Sequence, residues 1–588
     1  MNFSRLAHCL AVVAAIAFPA AGWAADWTWT YSVRVSATVQ ASPARVTLTW
    51  PTDEIPATGY TVRRKLPDER WWGSGVTLSA GATSFVDDNV ALGGTYEYQI
   101  EKGSALYPAF GYIRVAINAP LVESRGKVVL VVDRSIAGAV SNELKRLERD
   151  LVGDGWGVVR KEVARDDRPE NVRRLIQQEW EADRANTRSV FLFGRVPVAR
   201  SGNLNVDGHG SRPMPADAYY GEMDGRWSDA NGDGILDQTG LTSDVELEVG
   251  RVDFADLPGA YAAAPFPGEV ELLKRYLDKD HAYRFAEVRP PPRALMGNVG
   301  GDGRGQAYAA SGYRTFAALV GAGNVDEAGV DLLAPLSERW ITKLTTNEYQ
   351  WAYAAGAGGD YSLGILGTHG QYNDLWGADF IEQRPKATFY MVFGSWLSEW
   401  TRPDNLMRTI LAAPTYGLGS VWSGRPHHFC HTMGSGQTIG DGVRLTQNNN
   451  GLFYRSFIQR HLRSLHIALM GDPTLRLHQV APPTNLQAAP NGGEVTLTWN
   501  ASADSVFGYR VYRSAAAGAP FERISSELHT ETRFVDRPER PAEAVYMVRA
   551  VALHLGASGS YYLASQGAFS RDDFAIPALS SPALPAVI

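Results

Sequence analysis

The sequence predicts a multidomain chain: an α/β core on a parallel sheet, flanked by two all-β sandwiches. Three observations carry this expectation. Continuous apolar runs alternate with helical periodicities through the middle of the chain, as strands buried on both faces require. Short runs of alternating apolar and polar residues fill both ends. Those two ends also repeat each other. At roughly 150 residues per domain, 588 residues leave room for about three or four domains.

Residues 1–25 read as a secretory signal. Arg5 is the only formal charge before Asp26, an apolar run follows from Leu10 to Phe18, and small residues lead to Ala24-Ala25, near which cleavage is expected. The apolar segment is too short to span a bilayer, and no other stretch approaches that length. The mature chain is therefore expected to be extracytoplasmic, without a transmembrane segment. Cys9 leaves with the signal, so of 2 cysteines only Cys430 remains and no intramolecular disulfide can form.

The first sandwich is expected over 26–122 and the second over 481–575, with a tail at 576–588. Val46-Thr47-Leu48-Thr49-Trp50 recurs at Val495-Thr496-Leu497-Thr498-Trp499. The same offset relates Gly59-Tyr60 to Gly508-Tyr509, and Phe85-Val86-Asp87 to Phe534-Val535-Asp536; Tyr98 and Tyr546 nearly keep it. Pro, Gly and Asp separate the runs as turns do. This order of an early Trp, a Gly-Tyr strand and a late Tyr strand resembles the fibronectin type III domain.

The core is expected over 123–480, in halves of about 123–288 and 289–480 joined near Arg289-Pro290-Pro291-Pro292. Lys127 to Asp133 and Ser189 to Gly194 read as buried strands. Val140, Leu144, Leu147 and Leu151 mark one helix, and Pro169 to Trp180 another. In the second half Arg293 to Gly297, Ser362 to Gly367 and Phe389 to Gly394 read as strands, with a helix near Gly312 to Val320. Catalytic groups in such sheets sit at the carboxyl ends of strands. The last two ends deliver Thr368-His369-Gly370 and Gly394-Ser395-Trp396.

A His after one apolar strand and a nucleophile after the next resemble the caspase–gingipain superfamily. Thr368-His369-Gly370 with Trp376, Phe389 to Trp400 followed by Asp404-Asn405-Leu406-Met407, and Leu469-Met470-Gly471-Asp472-Pro473-Thr474-Leu475 narrow this to the gingipain family of cysteine peptidases. The resemblance implies His369 and position 395 as the catalytic pair, but the family's cysteine is replaced by Ser395. A thiol of pKa about 8.5 is already partly ionised near neutrality. A hydroxyl needs a base that a carboxylate orients, and Asp374 and Glu399 are the nearby acids. Arginine- and lysine-specific members of the family use an acidic pocket residue. Here the equivalent stretch Gly301 to Gln306 offers Asp302, and no cleavage preference carries over.

Asp229-Ala230-Asn231-Gly232-Asp233-Gly234-Ile235-Leu236-Asp237 places oxygen donors at alternate positions, with Gly at the sharp turns. This is the first half of an EF-hand-type loop, so Asp229, Asn231, Asp233, Ile235 and Asp237 are expected to hold a structural Ca²⁺. Gly240 stands where the loop's bidentate Glu belongs, leaving Asp244 or Glu246 to complete the shell. In His427-His428-Phe429-Cys430-His431, adjacent side chains point apart, so the cluster reads as a buried thiol with histidines beside the His369 pocket rather than as a metal site. The Gly-flanked His209 is a weaker signal.

With 56 Lys+Arg against 63 Asp+Glu, the chain lacks the basic footprint of a nucleic-acid binder. The expected function is a secreted binding or scaffold protein on a pseudopeptidase core, taking a protein or peptide ligand. A surface with 16 Trp and 25 Tyr also suits a cell-surface glycan. The alternative is a secreted peptidase or esterase using Ser395 and His369.

Overall fold

The computed structural model describes residues 28–579, apart from 205–211, 258–266, 299–308, 329–335, 357, 364–373, 425–426 and 454–462. The signal segment, His209, Asp302 and His369 lie outside the described residues.

The centre of the molecule is one ten-stranded sheet. From edge to edge it runs Val325–Glu327, Ala294–Asn298, Tyr349–Ala355, Ala387–Phe393, Gly419–Trp422, Ala468–Gly471, Glu248–Val252, Thr187–Phe193, Gly126–Asp133 and Trp156–Val163. The first five strands are mutually parallel, and so are the last five. The two sets meet antiparallel where Gly419 faces Gly471 and Trp422 faces Ala468. The seam depends on glycine. A Cβ on Gly471 would stand 2.3 Å from Leu418 O, and one on Gly250 would stand 2.4 Å from Gly471 O.

Double-sided burial explains the apolar runs. All eight residues of Gly126–Asp133 are buried. Val128, Leu130 and Val132 pack on one face with Leu144, Leu147 and Leu151 of the helix Ser141–Gly153. Val129 and Val131 pack on the other with Val172, Ile176 and Trp180 of the helix Pro169–Ala182. Alternate side chains of one strand thus feed two cores, each fully buried Val or Leu contributing about 2 kcal/mol.

One strand expectation fails. Ser362–Leu363 pairs antiparallel with Leu375–Trp376 in a two-residue ribbon outside the main sheet. The neighbour of Ala387–Phe393 is Tyr349–Ala355, with all seven residues buried. Gln350 and the alanines of that strand dilute its apolar signal, whereas Leu363, Ile365 and Leu366 imitate one.

Each end of the chain forms a pair of facing sheets. At the amino end Ser36–Ala41, Ala44–Thr49 and Ser84–Asp87 face Val76–Leu78, Ala57–Lys65, Thr95–Ser104 and Ala109–Ala119. At the carboxyl end Thr484–Asn491, Glu494–Asn500 and Arg533–Asp536 face Glu522–Arg523, Gly508–Ser514, Val545–Gly556 and Gly559–Ala564. The sequence repeat carries through to contacts. Trp50 packs on Tyr60 with ring centroids 5.4 Å apart, and Trp499 on Tyr509 at 5.5 Å. Tyr98 donates to Asp87 and Tyr546 to Asp536, each at 2.9 Å. The two modules also join. Gly559–Ala564 pairs in parallel with Ala109–Ala119, making one sheet across both.

Candidate functional site

Ser395 opens the turn after Ala387–Phe393, at the carboxyl end of a central strand, and is half-buried. Its backbone is held from several sides. Trp422 Nε1 donates to Gly394 O at 3.1 Å, and Gly356 N donates to Phe393 O at 3.1 Å. The segment after Gly356 lies directly on the turn: a Cβ on Gly358 would stand 2.9 Å from Gly394 Cα and 3.2 Å from Ser395 N. Two glycine backbones therefore touch where any side chain would push the Ser395 loop outward.

Trp396, next along, adopts φ of 65°, a conformation side-chain-bearing residues rarely occupy. The Arg212 guanidinium lies 4.1 Å above its ring. Arg212 also pairs with Asp360, which Arg402 approaches at 3.3 Å. Asn405 ties the underside, donating to Asp360 O and Leu397 O at 2.8 Å each. It also caps the helix Leu406–Ala412 by accepting from Met407 N at 3.0 Å. An Asn before an apolar helical run is a readable cap. Arg212 and Asp360 left no comparable signal, because their pairing joins loops 148 positions apart.

Glu399 is engaged within its own surroundings. Arg200 grips it through both oxygens, at 2.7 and 3.0 Å, and Thr401 donates to Oε1 as well. Burial would raise the Glu399 carboxyl, but these hydrogen bonds hold it below its ordinary value. Asp374 sits half-buried just before the ribbon strand Leu375–Trp376. His466 is buried, and its Nδ1 lies 2.9 Å from Pro215 O, which fixes that nitrogen as the donor. Burial pushes His466 down to about 4, so it stays neutral.

The cluster at 427–431 is buried. His431 donates from Nε2 to Glu97 Oε1 at 2.7 Å, so it docks on the amino-terminal module. His428 lies 3.3 Å from Ser423 Oγ and is pushed down to about 3, first by burial and then by His427 and Arg314. Burial raises the Cys430 thiol to about 12, which leaves it protonated and inert. Among the described residues no three His, Cys, Asp or Glu side chains converge as a metal site.

The loop at Asp229 is closed by its own side chains. Asp229 accepts from Gly232 N and Gly234 N at 2.9 Å each, Asp233 from Ile235 N at 2.8 Å, and Asp237 from Ala230 N at 3.0 Å. Gly232 and Gly234 take φ of 71° and 81°. The loop's own backbone amides thus engage the carboxylates of Asp229, Asp233 and Asp237, and Asp229 Oδ1 accepts from both Gly232 N and Asp233 N. Neither acid expected to complete the shell is uncommitted. Asp244 pairs with Arg463 at 2.5 Å, and Glu246 accepts from Met223 N at 2.6 Å.

No protein-family model matches the chain, and no curated protein matches it. Among solved structures it is similar to the Arg-specific cysteine proteinase gingipain R, at 12% identity over 76% of this chain and 99% of that one, with a TM-score of 0.46. A structure described as a protease matches at 10% identity over 76% of this chain and 98% of that one, TM-score 0.45. An Fn3-like protein from Clostridium thermocellum matches at 28% identity over 15% of this chain and 93% of that one, TM-score 0.12. Among the described residues no helix is long and apolar enough to cross a membrane.

Proposed function

We propose that this chain is an exported, gingipain-like pseudopeptidase: a binding or scaffold protein whose peptidase-like core presents a protein or peptide ligand surface between fibronectin type III-like modules. The observation that carries this reading is the setting of Ser395. It stands where the family's thiol belongs, and Glu399, the acid nearest in sequence, is spent on Arg200. A serine hydroxyl without a carboxylate-oriented base is a poor nucleophile at neutral pH. The repeated Trp–Tyr and Tyr–Asp pairs support the fibronectin type III-like reading of the ends. The order of charge, apolar run and small residues in 1–25 supports export.

The test is a fluorophosphonate probe on the full mature chain. No label is expected at Ser395, and Ser395→Ala is expected to leave ligand binding unchanged. Labelling that disappears in both Ser395→Ala and His369→Ala would replace this reading with a peptidase or esterase using that pair.

The oxygen-rich loop at Asp229, Asn231, Asp233, Ile235 and Asp237 is proposed as a structural calcium site, supported by oxygen donors at alternate positions of a glycine-turned loop. Calorimetric titration of chelator-treated protein with CaCl₂ is expected to show saturable binding that Asp229→Asn and Asp233→Asn together abolish. No heat from the unmutated chain removes calcium from the account.

A further inference from the structure

Where the two end modules meet the core, the fold encloses a cavity of about 440 Å³. Its walls come from four places far apart in sequence: Thr95 and Arg114 of the first module, the linker 121–125, the core turn 435–437, and 561–563 of the second module. Much of the lining is apolar or aromatic, including Pro67, Leu121, Tyr561 and Tyr562. Its charged residues are Arg114, Glu123 and Arg125.

On the two guanidinium groups of these walls, Arg114 and Arg125, the Nε–H is buried and has no acceptor among the described residues. Among the described residues no carboxylate lies within ion-pair distance of Arg125, and its Nε–H is buried without an acceptor. Burial first, and then the charge of Arg476, push Arg125 down to about 9, with Asp154 opposing them. Arg114 is only loosely held. Its Nη2 stands 3.6 Å from Glu97 Oε2, a carboxylate already paired with Lys65 at 2.9 Å and hydrogen-bonded by His431 at 2.7 Å. The Nε of Arg114 is buried without an acceptor too. The one acid on the wall, Glu123, is occupied by Arg523 at 2.6 Å and accepts from Tyr512 at 3.2 Å.

Buried donors left unmatched are costly and uncommon in native proteins. Two forked cations in a partly apolar cavity match an oxyanion on a hydrophobic body. We propose that this junction cavity binds a small organic anion, a carboxylate or phosphate carried on an apolar or aromatic group, with Arg114 and Arg125 as its anchors. Because both end modules and the core line the site, its occupant ties all three together.

The test is calorimetric titration of the full mature chain with benzoate and with inorganic phosphate, against sodium chloride at matched ionic strength. Saturable binding of at least one probe is expected, weakened at least about tenfold in Arg125→Gln and in Arg114→Gln. Benzoate alone assigns the carboxylate class, and phosphate alone the phosphate class. Where a glutamine variant departs from the parent in near-UV circular dichroism, Arg125→Lys serves instead. It keeps the charge, loses the fork, and is expected to bind between parent and glutamine variant. Heats no larger than those of chloride, or binding unchanged in the variants, overturn the proposal.

Discussion

Glu97 is fully buried, and two cations, Lys65 and Arg114, surround it together with His431. Burial alone would raise its carboxyl, but His431, Arg114 and Lys65 hold it far below the ordinary carboxylate range. Burial lowers His431 from 6.5, with Glu97 opposing. Both groups therefore bind more protons unfolded than folded on the acid side. The His431 contribution fades as pH falls below about 6.5, and the Glu97 contribution fades later, below about 4.5 and on through its depressed folded value. Tm is expected to fall steadily from pH 7 to pH 4. Glu97→Gln should start lower at pH 7, since it strands buried Lys65 at a cost of about 3–5 kcal/mol, yet decline less steeply. Equal slopes in the two proteins would remove Glu97 from the explanation. Three histidines and a cysteine in five residues were plain in the sequence, but the partner of His431 lies 334 positions away. No local pattern points to Glu97.

At the scale of elements, the antiparallel joint between Gly419–Trp422 and Ala468–Gly471 makes two parallel sets into one sheet. Gly471 takes φ of 134° with Leu418 O and Gly419 Cα against its open face. The residues after it lock the joint. Asp472 accepts from Thr474 N and from Arg284, each at 2.7 Å, and Arg284 also bonds Asp154 and Asp280. Gly471→Ala combines backbone strain with a clash against main chain, so a loss of at least about 2 kcal/mol is expected. Urea unfolding at unchanged m-value measures it. A loss below about 0.5 kcal/mol would show that the joint yields freely. The Gly-Asp-Pro segment is visible in the sequence as one of the motifs that carry the resemblance. That it closes the sheet by antiparallel pairing is not, because four buried residues carry no mark of strand direction.

At the scale of the whole molecule, the modules that open and close the chain share a sheet through Gly559–Ala564 and Ala109–Ala119. The contact is close: a Cβ on Gly559 would stand 2.2 Å from Ala116 O. Ser560 Oγ donates to Asn118 at 2.7 Å, and Ser558 Oγ to Ala318 O at 2.7 Å, so the second module grips both the first module and the core. Removing residues 481–588 would leave an edge strand and these acceptors open to water. Scanning calorimetry of the full chain is expected to show one cooperative transition, and the truncated chain to melt earlier or aggregate. Two well-separated transitions in the full chain would show that the modules unfold independently.

Local pattern determined a good deal. Apolar runs announced strands buried on both faces, helical spacing announced the layers over them, and the repeated Val-Thr-Leu-Thr-Trp announced kindred ends. The serine at position 395 was itself a statement about chemistry. Tertiary structure alone decided which strands adjoin, that Tyr349–Ala355 and not Ser362–Leu363 flanks Ala387–Phe393, that Arg200 holds Glu399, and that the two ends form one sheet. The reason is physical. Periodicity reports how many faces of an element are buried, whereas pairing, register and the partner of a charge depend on surfaces brought together from hundreds of residues apart.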